Sequence, residues 1–371
     1  MRNIGRRNWL KTVGLSSSFA LLGGFEAMAM INSKQPIPND PMIRLNANEN
    51  PYGPSKRVRD FLSNNFDLGC RYPFRTLSSL VELLADKEGV SKNHIVITGG
   101  STEGLKAAGL TYGGFGKGEI IAADPTFQAM LRYAETFGTK VHRVRVNDQM
   151  EHDLEAMSHK VSSNTKLIFV CNPNNPTGTL LDKGELTDFC TSHDDKAVIF
   201  SDEAYYDFIT EPEYPSMVEL VKQERNIIVS KTFSKIYGLA GMRLGYLIAR
   251  PDIATKLKAS VMANTNTYAI EAAKVALQDD EFYKFSILNN MKAKNHIYNT
   301  LDALGLEHIK SHSNFVFFKT GRPINEIHRL MVNENILIGR PFPPFMKWAR
   351  ISTGTMKDME RFGDALKKVM G

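Results

Sequence analysis

Two rhythms of apolar and polar residues run along this chain. Seven short runs rich in branched and aromatic side chains, at residues 94–98, 119–123, 140–146, 166–171, 197–201, 226–230 and 244–249, read as strands. Between most of them lie stretches with apolar residues at helical spacing, such as 102–111 and 183–192. This alternation predicts an α/β architecture: a mainly parallel, seven-stranded sheet with helices on both faces and ligands beyond the carboxyl ends of its strands. After residue 251 the rhythm changes. Long helical stretches at 251–278 and 281–304 precede strand-like segments at 314–319 and 336–340. The expectation is a large domain over residues 61–250 and a smaller α+β domain over 251–371, with residues 30–60 as an arm joining the small domain.

Composition changes this picture little. With 371 residues and 42% apolar content the chain can bury a large core. The net charge of +6 is partly local, because Arg2, Arg6, Arg7 and Lys11 stand against only Glu26 in the first 29 residues. The remainder is too mildly basic to point to nucleic acid. Three cysteines (Cys70, Cys171, Cys190) are too few for a disulfide framework. Cys171 closes an apolar run and reads as a buried hydrophobe. The nine histidines show no metal-binding spacing, so no metal centre is expected, and His152 and His159 read as solvated flanks of a surface helix.

The first 29 residues read as a leader rather than as fold. Gly5-Arg6-Arg7-Asn8-Trp9-Leu10-Lys11 is followed by a Ser/Gly-diluted apolar stretch and by Ala27-Met28-Ala29, the order of a secretory signal with an A-x-A cleavage site. The paired arginines followed by Trp9, Leu10 and Lys11 resemble the twin-arginine type, which implies an exported, periplasmic protein, with an uncleaved membrane tether or a cytoplasmic location as alternatives.

Five segments carry candidate chemistry. Thr98-Gly99-Gly100-Ser101-Thr102-Glu103-Gly104 runs from a strand through a Gly-rich turn into a helix start. Such a turn suits phosphate, although a plain capped helix looks the same. Cys171-Asn172-Pro173-Asn174-Asn175-Pro176-Thr177-Gly178 is a dense polar loop directly after a strand. In Ser201-Asp202-Glu203-Ala204-Tyr205 a carboxylate follows an apolar strand, as an active-site acid or a helix cap would. Ser230-Lys231-Thr232-Phe233-Ser234-Lys235, with Gly238-Leu239-Ala240-Gly241-Met242-Arg243 after it, puts a lysine beside two hydroxyls and ahead of an arginine. Its Gly-rich, apolar flanks argue against a simple solvated lysine. The fifth is Ala349-Arg350-Ile351-Ser352-Thr353-Gly354-Thr355.

In this order the segments resemble the fold-type I aminotransferases that use pyridoxal 5′-phosphate (PLP), specifically the histidinol-phosphate aminotransferase-like group. Leu45-Asn46-Ala47-Asn48-Glu49-Asn50-Pro51-Tyr52-Gly53-Pro54 and Arg71-Tyr72-Pro73 extend the likeness, which runs from about Arg44 to the C-terminus. The resemblance implies an amino transfer from an L-amino acid to a 2-oxo acid, with Lys235 holding PLP as a Schiff base and then shuttling the substrate proton. It implies that Asp202 pairs with the ring nitrogen and stays ionised opposite that cation, and that Asn175 and Tyr205 donate to the ring oxygen. Phe127 takes the place of the stacking ring, and Ser101, Thr102, Thr232, Ser234 and Arg243 hold the phosphate. Tyr72 is implied to reach the phosphate site of a second subunit in a homodimer. Arg350 would grip the substrate carboxylate, with Arg340 and Asn48 also on the substrate side.

Residues 35–42 lack the tyrosine that histidinol-phosphate enzymes usually carry there, and the 338–345 segment is rich in Pro and Phe. A substrate other than histidinol phosphate is therefore expected. Phe342, Phe345 and Trp348 point to an aromatic or bulky side chain, or to ordinary packing. A PLP-dependent decarboxylase or lyase would share the same core residues. A binding protein without turnover would have no use for a proton-shuttling lysine.

Overall fold

A computed structural model describes residues 42–116, 118–262 and 264–371. The twin-arginine segment, the Ala27-Met28-Ala29 site and residues 35–41 lie outside the described residues.

A two-residue strand, β1 (Ile43–Arg44), precedes the main sheet. That sheet contains β2 (Ile95–Thr98), β3 (Glu119–Asp124), β4 (Lys140–Arg145), β5 (Thr165–Cys171), β6 (Val198–Asp202), β7 (Ile227–Thr232) and β8 (Gly245–Ala249). Their order is β2-β8-β7-β6-β5-β3-β4, and β8 alone runs antiparallel to its neighbours. All seven expected strands are present. The apolar runs form central strands because both faces are covered. Ile168, Ile199 and Val229 pack into one layer, while Phe169, Phe200 and Ile228 pack into the layer opposite.

The C-terminal residues add β9 (Phe315–Lys319), β10 (Ile336–Leu337) and β11 (Trp348–Ser352). β9 and β11 pair antiparallel, and β10 pairs in parallel with β1. A separate apolar core there joins Ile43 and Leu45 to Ile297, Val316, Ile351 and Phe362. The chain just before Asn48 thus packs with residues nearly 300 positions later. Ile43–Gly371 forms one compact unit.

Three expectations fail. The stretch at 251–278 is two helices, Pro251–Lys258 and Thr267–Leu277. Asn264, Thr265 and Asn266 interrupt it, and the Asn266 side chain accepts the Tyr268 N–H to start the second helix. The first packs on β2, β8 and helix Ser101–Tyr112, the second on helices Lys56–Asn64 and Phe74–Glu88. Their buried residues lie in the two layers of the large sheet. Strand structure at 336–340 is limited to Ile336–Leu337. His152 is buried at 3% exposure, and burial pulls its pKa down to about 4. It is a neutral interior group, not a solvated one. No helix among the described residues is long and apolar enough to cross a membrane.

Candidate active site

Parallel strands end on the same side of the sheet, so the polar residues that follow β5, β6 and β7 gather there. Asp202 is the last residue of β6, 2% exposed, with Oδ1 lacking any partner. Burial pushes its pKa up to about 7 against the opposing pull of the Ala204 backbone and Lys235. Asp202 is expected to be ionised opposite a cation, and where no cation stands there burial opposes that charge.

Lys235 follows β7, and its Nζ donates to the backbone oxygens of Asn48 at 2.9 Å and Ala47 at 3.4 Å. It lies 5.5 Å from the centre of the Tyr205 ring. Burial first, then the Arg350 charge, lowers its pKa to about 8. A neutral amine, the form that attacks an aldehyde, is thus accessible near neutrality. Asn48 presents its carbonyl to Lys235 from a left-handed turn (φ 54°), a conformation that Asn tolerates better than most residues. Ser352 braces the turn: its Oγ accepts the Asn48 N–H at 2.9 Å and donates to Oδ1 at 2.8 Å.

Arg350, Asn175 and Tyr205 form a chain. Arg350 Nη1 donates to Asn175 Oδ1 at 2.7 Å, and Asn175 Nδ2 donates to the Tyr205 hydroxyl at 3.3 Å. Asn48 Nδ2 donates to the same hydroxyl at 2.9 Å. Tyr205 accepts both and keeps its own proton to offer a ligand oxygen; burial drives its pKa well above the ordinary phenol value. Arg350 Nη2 donates to Asn46 O at 2.7 Å, and Nε is buried without a partner. Two of the five guanidinium protons are used, which leaves donors for an anion. The group lies against two rings, 5.4 Å from Phe315 and 4.9 Å from Phe342, and burial lowers its pKa to about 10. Arg340 lies on Phe342 as well, at 4.6 Å, and donates to Pro341 O. Phe342, Phe317, Phe345 and Trp348 interlock beside them.

The anion cradle is built on glycine. Helix Ser101–Tyr112 begins after Gly100, whose φ of 89° an L side chain rarely adopts, and no side chain caps the helix. The first N–H groups therefore remain available to an anion. A Cβ at Gly100 would fall 2.9 Å from Arg243 Cζ, so the guanidinium occupies the space that a side chain would take. Arg243 donates to Ala240 O at 2.7 Å and approaches Ser234 Oγ and Gly99 O at 3.5 Å, all neutral acceptors. Thr232 Oγ1 accepts the Ser234 N–H at 3.1 Å.

Phe127 follows β3, half-buried against the sheet core. Its segment is tied to the polar loop by Thr126 Oγ1 donating to Asn174 Oδ1 at 2.8 Å and by Asn174 Nδ2 donating to Pro125 O at 3.1 Å. Tyr72 is 81% exposed, with its ring beside that of Phe74. Sequence reading gave no role to Asn174, Ser352 or the Asn46 carbonyl. All three lay inside motifs already quoted. Ser352 had a signal, a polar residue ending an apolar strand, but no hint of its partner.

A buried amine with a lowered pKa, an unpartnered carboxylate and a glycine-built anion cradle fit PLP: an aldehyde, a ring cation and a phosphate. A family model described as aminotransferase class I and II matches residues 40–366. The histidinol-phosphate aminotransferase of Moorella thermoacetica is 35% identical over 333 residues, covering 89% of this chain and 86% of that protein. That of Caldicellulosiruptor saccharolyticus is 33% identical over 340 residues, covering 91% and 94%. The crystal structure of the Sinorhizobium meliloti histidinol-phosphate aminotransferase in complex with PLP superposes with a TM-score of 0.81 at 24% identity, covering 89% of this chain and 91% of that one, a likeness of fold. The match over nearly the whole described chain, with the amine, carboxylate and cradle in one place, establishes that this protein belongs to the class I and II aminotransferases, PLP-dependent transaminases of fold type I.

Proposed function

We propose that this transaminase takes its amino group from an L-amino acid with a bulky aromatic side chain and passes it to a 2-oxo acid. The supporting observation is Arg350, an anion-binding group walled by Phe315 and Phe342, beside the buried amine and carboxylate. PLP supplies the electron sink that makes the bonds at the substrate α-carbon breakable. Lys235 holds the cofactor and moves the proton at that carbon. Asp202 keeps a proton on the ring nitrogen, while Asn175 and Tyr205 donate to the ring oxygen. Phe127 would supply the side chain that stacks on the cofactor. Ser101, Thr102, Thr232, Ser234 and Arg243 bind the phosphate, and Arg350, Arg340 and Asn48 orient the substrate.

A second reading, histidinol phosphate as donor, is favoured by the relatives of that name. It offers the same pairing of an anion with an aromatic ring. A screen of aromatic L-amino acids and histidinol phosphate against several 2-oxo acids decides between them. Turnover with histidinol phosphate alone refutes the first reading.

The reading extends to assembly and place. The exposed aromatic residues Phe66, Tyr72 and Phe74 support a homodimer in which Tyr72 completes the partner's phosphate site. Light scattering that finds a PLP-loaded monomer would refute this. The leader supports export by the twin-arginine route, tested by changing Arg6 and Arg7 to Lys and locating the protein in cell fractions.

A further inference from the structure

Strand β11 carries two residues that reach the chain at 45–48. Arg350 and Ser352 lie two positions apart, on one face of the strand. Arg350 Nη2 donates to Asn46 O at 2.7 Å, and the Ser352 N–H donates to Leu45 O at 2.9 Å. The Ser352 hydroxyl engages Asn48 twice, accepting its N–H at 2.9 Å and donating to its Oδ1 at 2.8 Å. The remaining polar groups of Asn48 are engaged as well. Its Nδ2 donates to the Tyr205 hydroxyl, while its carbonyl accepts from Asn314 Nδ2 at 3.1 Å and from Lys235 Nζ at 2.9 Å. Asn48 and Ser352 are each 2% exposed, so loss of the hydroxyl would strand a buried donor and a buried acceptor of Asn48. Asn48 also stands at φ 54°, a region that a non-glycine residue keeps only where its surroundings over-determine it. Without the two bonds from Ser352 the turn relaxes, and its carbonyl leaves Lys235.

We propose that Ser352 is a positioning residue for Lys235, its two hydrogen bonds holding the Asn48 turn so that the Asn48 carbonyl receives the Lys235 amine in the cofactor-free site. This rests on the reading of Lys235 as the amine that takes up PLP. A carbonyl that accepts from an amine favours its charged form, because the ammonium is the stronger donor. The charged groups around Lys235 are Arg350 from β11, Glu49 beside the Asn48 turn, Asp202 from β6 and Arg243 ahead of β8, with the Tyr205 ring at 5.5 Å. Burial acts most strongly against the charge of Lys235; the two arginines add to it, and the two carboxylates oppose it. Ser352 is neutral, so replacing it leaves all four charges in place. A changed titration of Lys235 then reports the carbonyl.

The test labels cofactor-free protein with trace acetic anhydride from about pH 6 to about pH 10 and follows acetylation of Lys235 by peptide mass spectrometry. Only the neutral amine reacts, so the midpoint reads the titration of Lys235 without PLP. The parent protein should show a midpoint at about 8. Ser352→Ala is expected to lower it by about one pH unit, which raises labelling at neutral pH about fivefold. Ser352→Thr keeps the hydroxyl and should stay near the parent. Ser352→Val has the shape of the threonine variant without its hydroxyl and should follow Ser352→Ala. Ser352→Cys, close to serine in size and a far weaker hydrogen-bonding group, replaces the alanine variant if that one does not fold. The proposal is overturned if loss of the hydroxyl leaves the midpoint in place, whatever it does to stability, or if the threonine and valine variants shift together, which would mark a packing effect. Borohydride reduction of the PLP-loaded parent separates the two levels. Cofactor fixed to another side chain removes the reading of Lys235 itself, whereas cofactor on Lys235 beside an unmoved midpoint in Ser352→Ala overturns the role of Ser352 alone.

Discussion

Gly100→Ala is the most informative single-atom change in the cradle. The new methyl group would sit 2.9 Å from Arg243 Cζ, well inside the ~3.5–4.0 Å of an ordinary carbon–carbon contact. It would also hold a non-glycine residue at φ 89°. The backbone strain costs about 1–3 kcal/mol. The clash is relieved differently, because the end of a long side chain can swing away. Arg243 then leaves the helix N-terminus, and the fold survives without its anion site. Loss of one charge-assisted hydrogen bond, worth about 1.5–3 kcal/mol, corresponds to roughly a ten- to hundredfold weaker hold on the cofactor phosphate. The assay is fluorescence titration of cofactor-free protein with PLP, beside thermal unfolding. A fall in melting temperature of about 2–10 °C is expected from the strain. Arg243→Ala should weaken binding to a similar degree, and the double variant should lose less than the two losses combined, since both remove the same contact. Parent-like affinity in Gly100→Ala, or full additivity with Arg243→Ala, would refute the claim that the glycine exists to seat the arginine.

Other consequences follow from the charges in the site. Lys235→Ala should retain weak PLP binding but lose the visible absorbance of the lysine-bound cofactor and at least about a thousandfold in turnover, measured by single-turnover mixing with a donor. With Lys235 lowered to about 8, PLP capture by cofactor-free protein should quicken as pH rises and level off above that value in stopped-flow traces; a flat profile would deny that the neutral amine is the attacking form. Asp202 has a folded-state pKa of about 7, above its unfolded value, so it favours the folded state at low pH and loses that contribution as pH rises toward 7. Cofactor-free parent protein should therefore lose melting temperature relative to Asp202→Asn between about pH 4 and about pH 7, and PLP should remove the difference. Arg350→Lys cannot reproduce a two-pronged contact and should raise the donor KM about tenfold or more, measured from initial rates.

Much of this site was legible before any fold was known, and the reason is local. The Gly-Gly turn, the Asn-Pro loop, Asp202, Lys235 and Arg243 occupy short segments at strand ends, and each strand announces itself by a run of β-branched or aromatic residues. The seven strands of the main sheet were readable because burial on both faces leaves an unbroken apolar run. The helix break after Lys258 was less so, because Ala259, Ser260 and Val261 still fit a helical pattern and only the asparagines after them count against it.

Tertiary structure alone decided who meets whom. It set the strand order β2-β8-β7-β6-β5-β3-β4 and reversed β8. It brought Asn48 to Tyr205 and Lys235, laid Phe342 between Arg340 and Arg350, buried His152, and placed Ser230 beside Asp202. Periodicity records which face of an element is hidden from water. It carries no trace of the distant residue that hides it, because that choice is made by packing among whole elements.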